Sequence, residues 1–237
     1  MKTIVHKAET RGQANYGWLN TRYSFSFANY YNPDRIHFGA LRVLNDDTIA
    51  GGEGFGMHPH ENMEIVTIML EGELEHKDSM GHSEVLKKDE VQVMTAGTGI
   101  MHSEFNHLPD VQIKLFQIWV LPEKKGLKPR YDQRVYSPAE RTDKWQLLVS
   151  PDENKSLMVH QQTWFSRGTF KKGETNEYKL YNSTSGIYIF IIEGSIELEN
   201  NNYGPRDGIG LWELNEIKFK TLTNADILII EIPLNGF

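Results

Sequence analysis

The sequence predicts an all-β protein built as two copies of one antiparallel unit, and three observations lead there. Apolar residues recur at alternate positions in short runs, as Tyr23, Phe25 and Phe27 do in TRYSFSFANYY, which is the two-residue period of a half-buried strand. These runs stop at glycine-bearing turns, Glu71-Gly72 after EIVTIML being the clearest. IFIIEGSIELE (189–199) then mirrors TIMLEGELEH (67–76), so the chain carries an internal repeat. Two such antiparallel barrels or sandwiches packed together cover their sheet edges and bury both apolar faces.

In chain order, HFGALRVLND reads as a strand ending at an Asn45-Asp46-Asp47 turn, with Trp18, Tyr30 and Tyr31 nearby as an aromatic packing cluster. EIVTIML follows as a β-branched strand, and ELEHKDSMGH runs on from the Glu71-Gly72 turn to a loop at Gly81. VQVM is a further strand, TAGTGI a tight loop with Gly97 and Gly99, and KLFQIWV (114–120) a buried strand. The stretch 121–144 changes character, with three prolines, mixed charge and little periodicity. We expect a first domain over 1–120, a linker over 121–144 and a second domain over 145–237.

Composition narrows the function classes. At 237 residues with 39% hydrophobic content, the chain is long enough for a real core. Lys and Arg number 25 against 32 Asp and Glu, a formal charge of -7, which argues against a nucleic-acid surface. There is no cysteine, so any bound metal must sit on nitrogen and oxygen. The opening MKTIVHKAETRG lacks the apolar core of a secretion signal. The longest apolar run, IYIFII (187–192), is too short to span a bilayer, so we expect a cytoplasmic protein without a membrane partner.

The chemistry concentrates between Gly52 and Asn106, in GFGMHPHENMEIV and MTAGTGIMHSEFN. Side chains alternate faces along a strand, so His58 and His60 share one face, and His102 and Glu104 share another. One His-x-His pair alone is weak. Two spaced pairs flanked by glycines are stronger, because neighbouring strands would converge three imidazoles and a carboxylate on one point, a set suited to a divalent transition metal. The second copy lacks the set: with Gly194 placed on Gly72, the positions of His58, His60 and Glu64 hold Leu180, Asn182 and Gly186. Phe55, Met57 and Met101 adjoin the histidines in sequence and are read as core residues.

HPH-x3-E with its Glu-Gly turn, followed by H-x3-N at His102–Asn106, resembles the two cupin motifs. TAGTGIMHSEFN, RGQANYGWLN and SFSFANYY narrow the resemblance to the pirin family, especially its bacterial members similar to quercetin 2,3-dioxygenase. The resemblance implies a bicupin whose first domain binds one metal through His58, His60, His102 and Glu104. It places Glu64 beside the ligands rather than among them, and makes Glu104 the residue that accepts a proton from substrate. Fe(II) is the first expectation for the ion, with Zn, Ni, Mn, Co and Cu also compatible with such donors.

The activity so implied is cleavage of a flavonol heterocycle with dioxygen, releasing carbon monoxide and a depside. Two other functions are open to the fold: a non-enzymatic regulatory protein that binds a protein partner, and a cupin isomerase or hydrolase. We expect a monomer, since the two repeats satisfy one another.

Overall fold

The structure is a computed structural model that describes residues 1–234. Its first strand is β1 (Lys2–His6), followed by β2 (Gly12–Asn15), β3 (Leu19–Tyr23), β4 (Leu41–Ile49), β5 (Gly54–His60) and β6 (Glu64–Glu71). The first half continues with β7 (Glu73–Asp78), β8 (Ser83–Lys87), β9 (Glu90–Thr95), β10 (Ile100–Asn106), β11 (Ile113–Val120) and β12 (Arg130–Val135). The second half contains β13 (Trp145–Ser150), β14 (Leu157–Met158), β15 (Trp164–Phe170), β16 (Thr175–Lys179) and β17 (Ser185–Glu193). It ends with β18 (Ile196–Leu198), β19 (Asn201–Tyr203), β20 (Gly208–Trp212), β21 (Glu216–Thr221) and β22 (Ala225–Pro233).

These strands form four sheets, which makes the protein all-β as expected; the sheets pack as layers and do not close into barrels. Each half pairs a seven-stranded sheet with a four-stranded one. The first half has the orders β12-β9-β6-β11-β4-β3-β2 and β5-β10-β7-β8, and the second β1-β20-β17-β22-β15-β13-β14 and β16-β21-β18-β19. The repeat is therefore structural as well as sequential, with β6 matching β17 and β11 matching β22. Gly72 shows why glycine stands at the turn of each copy: at φ +82° it carries the chain from one sheet to the other, and a Cβ there would lie 2.2 Å from the Ile113 side chain.

The two large sheets face one another across a shared core. Val66, Ile68, Phe116 and Ile118 of the first pack with Phe165, Phe190, Leu228 and Ile230 of the second, Phe116 and Phe190 meeting edge to face at 5.4 Å. Strand β6 is thus covered on both faces, which is why EIVTIML carries apolar residues at both parities, with only Glu64 and Thr67 polar, rather than alternating. An ion pair between Arg206 and Asp46, 2.9 Å, also joins the halves.

Several local expectations change. Strand β3 ends at Tyr23, because Phe25 leaves the sheet to pack on Tyr188 at 5.4 Å and Phe27 turns onto Trp119 at 5.3 Å. Asn45-Asp46-Asp47 is no turn: β4 runs through it, with Asn45 and Asp47 buried. Tyr31 is exposed, at 73%, and so lies outside any packing cluster.

The stretch 121–144 is only partly a connector. Its Arg130–Val135 segment adds an edge strand to the first sheet beside β9, and Thr98 N donates to Leu127 O at 2.8 Å, pinning the same stretch to the glycine loop. Strand β1 pairs with β20 in the second half's sheet, where it takes the edge place that β12 takes in the first. Each half is therefore completed by a strand that lies beyond its expected boundary. Among the described residues no helix is long and apolar enough to cross a membrane.

Candidate metal centre

Strands β5 and β10 are antiparallel neighbours, with His102 opposite His58 and Ile100 opposite His60. The register slips between His102 and Glu104, where three steps along β5 match two along β10. This bulge re-aims the pairing at the site. Gly54 allows it, since a Cβ there would lie 2.2 Å from the Glu104 carbonyl oxygen.

The three imidazoles converge. Ring centroids lie 4.4 Å apart for His58 and His102, 4.8 Å for His60 and His102, and 4.9 Å for His58 and His60, and their candidate ligand nitrogens all lie within 4.8 Å of one another. Burial, and then the neighbouring imidazoles, push His60 and His102 down to about 3, so both stay neutral with a free lone pair. His58 Nδ1 lies 2.8 Å from the Gly56 carbonyl; the carbonyl can only accept, so Nδ1 carries the hydrogen and Nε2 is left bare. Trp119 backs the group, its ring perpendicular to His60 at 4.9 Å.

Glu104 lies on the same strand but in a second cluster, whose ligand atoms, from His76, His102 and Glu104, also lie within 4.8 Å of one another. Its carboxylate is fully buried and held by Gln117 Nε2, at 2.9 and 3.2 Å from the two oxygens. Burial raises its pKa, while His76 and Gln117 oppose the rise. His102 thus joins two triads, one with the β5 histidines and one with Glu104 and His76.

His76 escaped the sequence reading. It lies on β7 directly opposite Glu104, and the pattern His76-x-Asp78 in a strand was the available signal, since alternation puts both side chains on one face. Both are buried, and His76 Nε2 lies 3.0 Å from Asp78 Oδ2.

Glu64 does not lie beside the histidines. On β6, Ile65 packs with Trp119 on the site face, whereas Glu64 has the parity of Val66 and Ile68 and points toward the other half of the molecule. There it accepts from Thr95 Oγ1 at 2.9 Å, and burial pushes it up to about 7. Met57 and Met101 are also not core residues: they face outward, 55% and 39% exposed, while Phe55 packs on Trp18.

A polar belt surrounds the centre. Thr67 is flanked in the β-ladder by Gln92 and Gln117, all three buried or half-buried, between an apolar cluster containing Met69 and Leu115 and another containing Ile65 and Met94. The matching positions of the second copy, in register, are Ile189, Ile209 and Ile229, which belong to one unbroken apolar core. One copy of the repeat is therefore furnished for polar chemistry and the other for packing.

Comparison with known proteins agrees with this architecture. Residues 4–120 match the family described as Pirin, and residues 147–232 the one described as Quercetinase C-terminal cupin domain. A protein of Escherichia coli (strain K12) named quercetin 2,3-dioxygenase is 40% identical over 230 residues, covering 97% of this chain and 98% of that one. A pirin-like protein of Caulobacter vibrioides is 36% identical over 222 residues, covering 93% and 95%. The crystal structure of the bacterial pirin YhhW from Escherichia coli in complex with nickel(II) superposes with a TM-score of 0.91 at 39% identity, covering 98% of this chain and 99% of that one. The chain belongs to the pirin family.

Proposed function

We propose that this chain is a metal-dependent dioxygenase that opens the heterocyclic ring of a flavonol-type substrate, with His58, His60, His102 and Glu104 holding one divalent transition-metal ion. The observation that carries the reading is the convergence of three imidazoles with ligand nitrogens within 4.8 Å, both nitrogens of the fully buried His102 having no hydrogen-bond partner among the described residues. A buried imidazole whose lone pair meets no donor is costly unless something binds it, so the donor set fits a cation. Nitrogen and oxygen donors without sulfur suit Fe(II), our first choice, and Ni, Mn, Co, Cu and Zn as well. The relatives named as quercetin 2,3-dioxygenases support the substrate class, and the nickel complex of YhhW supports a divalent ion.

An ion held by His58, His60, His102 and Glu104 would supply Lewis-acid stabilisation of the oxyanion of a substrate hydroxyl. The protein's own groups do the rest. Glu104, held in place by Gln117, is the acceptor for the hydroxyl proton. Trp119, packed edge to face on Phe27 at 5.3 Å, walls the His60 side of the centre.

The test is oxygen uptake by protein reconstituted anaerobically with Fe(II) and then given quercetin and air. We expect uptake that depends on quercetin and releases carbon monoxide. Substrate loss without oxygen uptake would favour an isomerase or hydrolase, and no turnover with any of the metals or several flavonols would favour a protein-binding module.

A further inference from the structure

His76 is the one buried imidazole near the centre whose second nitrogen is already fixed from outside. Asp78 takes four donors: the Met80 and His82 amides on Oδ1, at 2.8 and 3.2 Å, and the His82 and His76 rings on Oδ2, at 2.9 and 3.0 Å. A carboxylate so engaged accepts and does not donate, so His76 carries its hydrogen on Nε2 and presents Nδ1 as a bare lone pair. That atom has no partner among the described residues, and the His76 side chain is fully buried. Tyr131 stacks on His76 at 4.5 Å and on His82 at 4.9 Å, which locks the ring planes. Carboxylate, oriented imidazole and free lone pair are the arrangement that supports a metal-ligating histidine.

The free atom belongs to the triad of His76, His102 and Glu104, whose donors lie within 4.8 Å of one another. Donors around one transition-metal ion at about 2.1 Å stand roughly 3 to 4 Å apart, so a small contraction would close the triad on a cation. Neither ring nitrogen of His102 has a hydrogen-bond partner among the described residues, so no neighbour fixes its tautomer and its single lone pair is free for one position at a time.

We propose that the centre has a second, deeper cation position formed by His76, His102 and Glu104, occupied in alternation with the outer position at His58, His60 and His102, to which Glu104 turns as fourth ligand when the ion lies there. Both positions draw on His102, and a neutral imidazole has one lone pair to give, so the chain holds one ion at a time. The inference rests on the reading above in taking His102 and Glu104 as ligands; its own addition is His76.

The experiment is Co(II) binding to the chelator-stripped full chain by equilibrium dialysis, with the Co(II) visible absorption spectrum as a second readout. Four proteins are compared: the unaltered chain, His58→Ala/His60→Ala, that double variant with His76→Gln added, and His102→Ala. Glutamine keeps the size and the hydrogen bond to Asp78 but lacks the imidazole, and near-ultraviolet circular dichroism verifies the fold of each.

We expect the double variant to keep one Co(II) per chain at roughly 10- to 100-fold weaker affinity with an altered spectrum, and His76→Gln to bring uptake down to that of His102→Ala. Uptake already at the His102→Ala level in the double variant would overturn the inner position and leave the outer one standing. Undiminished affinity in the double variant, lost on adding His76→Gln, would overturn the outer position and leave the inner one. An unaltered chain that binds no Co(II) would overturn both.

Discussion

Gln117 donates to both carboxylate oxygens of Glu104, at 2.9 and 3.2 Å, and accepts from Thr67 Oγ1 at 3.2 Å. Glu104 is thus oriented by a strand of the other sheet, and the belt that orients it is replaced by isoleucines in the second copy. Gln117→Leu keeps the bulk and removes the donor. We expect metal affinity to fall roughly 10- to 100-fold with the fold intact, measured by competition with a chromophoric chelator. Unchanged affinity would mean that the Gln117 hydrogen bonds have no part in metal binding.

His60 and Asn182 occupy matching places in the two copies, and their substitutions should differ. His60→Ala is expected to leave well under half the metal of the unaltered chain in elemental analysis. Asn182→Ala should leave the metal content unchanged, because Asn182 Oδ1 accepts from Thr184 N at 3.0 Å at the exposed end of a turn and the ligand clusters among the described residues lie in the first copy. Full occupancy in His60→Ala at unaltered affinity would remove it from the ligand set.

Glu64 makes stability depend on pH. Its carboxyl is raised from 4.5 to about 7 by burial, so the folded state keeps a proton that the unfolded chain has lost. The sign follows: the group costs nothing below about pH 4.5, and destabilises progressively as pH rises toward 7. Glu64→Gln keeps the bond from Thr95 and removes that cost. It should raise Tm at pH 8 by an amount corresponding to a gain on the order of 2–3 kcal/mol, and leave Tm nearly unchanged at pH 4. Equal gains at both pH values would show that ionisation is not the cause.

What was legible in the sequence followed from local periodicity. The repeat and the strands before each glycine turn announce themselves as short apolar runs ended by a Glu-Gly pair, and the ligand-bearing strands by histidines two residues apart or two residues from a glutamate. His58 and His102 then meet because their strands pair. Glu64 was misplaced because parity along β6 depends on knowing which face meets the other half, and both faces of that strand are apolar. His76 was missed because a single histidine in ELEHKD looks like a solvated strand residue until β7 is seen beside β10. The edge exchange of β1 and β12 has no local signature at all, since it is a pairing between distant segments.

The shared core predicts that the halves unfold together. Phe190 of the second half packs against Phe116 of the first, and both are fully buried. Phe190→Ala should cost about 3–5 kcal/mol and lower a single calorimetric transition. Two separated transitions, with the lower one alone shifted, would show that the halves are independent.

The ligand set can be counted directly by X-ray absorption on the Fe(II)-loaded chain, through the multiple scattering that imidazole rings give. Occupancy of the outer position predicts three imidazoles and a carboxylate per iron, and two imidazoles remain if the inner position dominates. A spectrum fitted by one imidazole or none, with oxygen donors alone, would contradict the assignment of the centre.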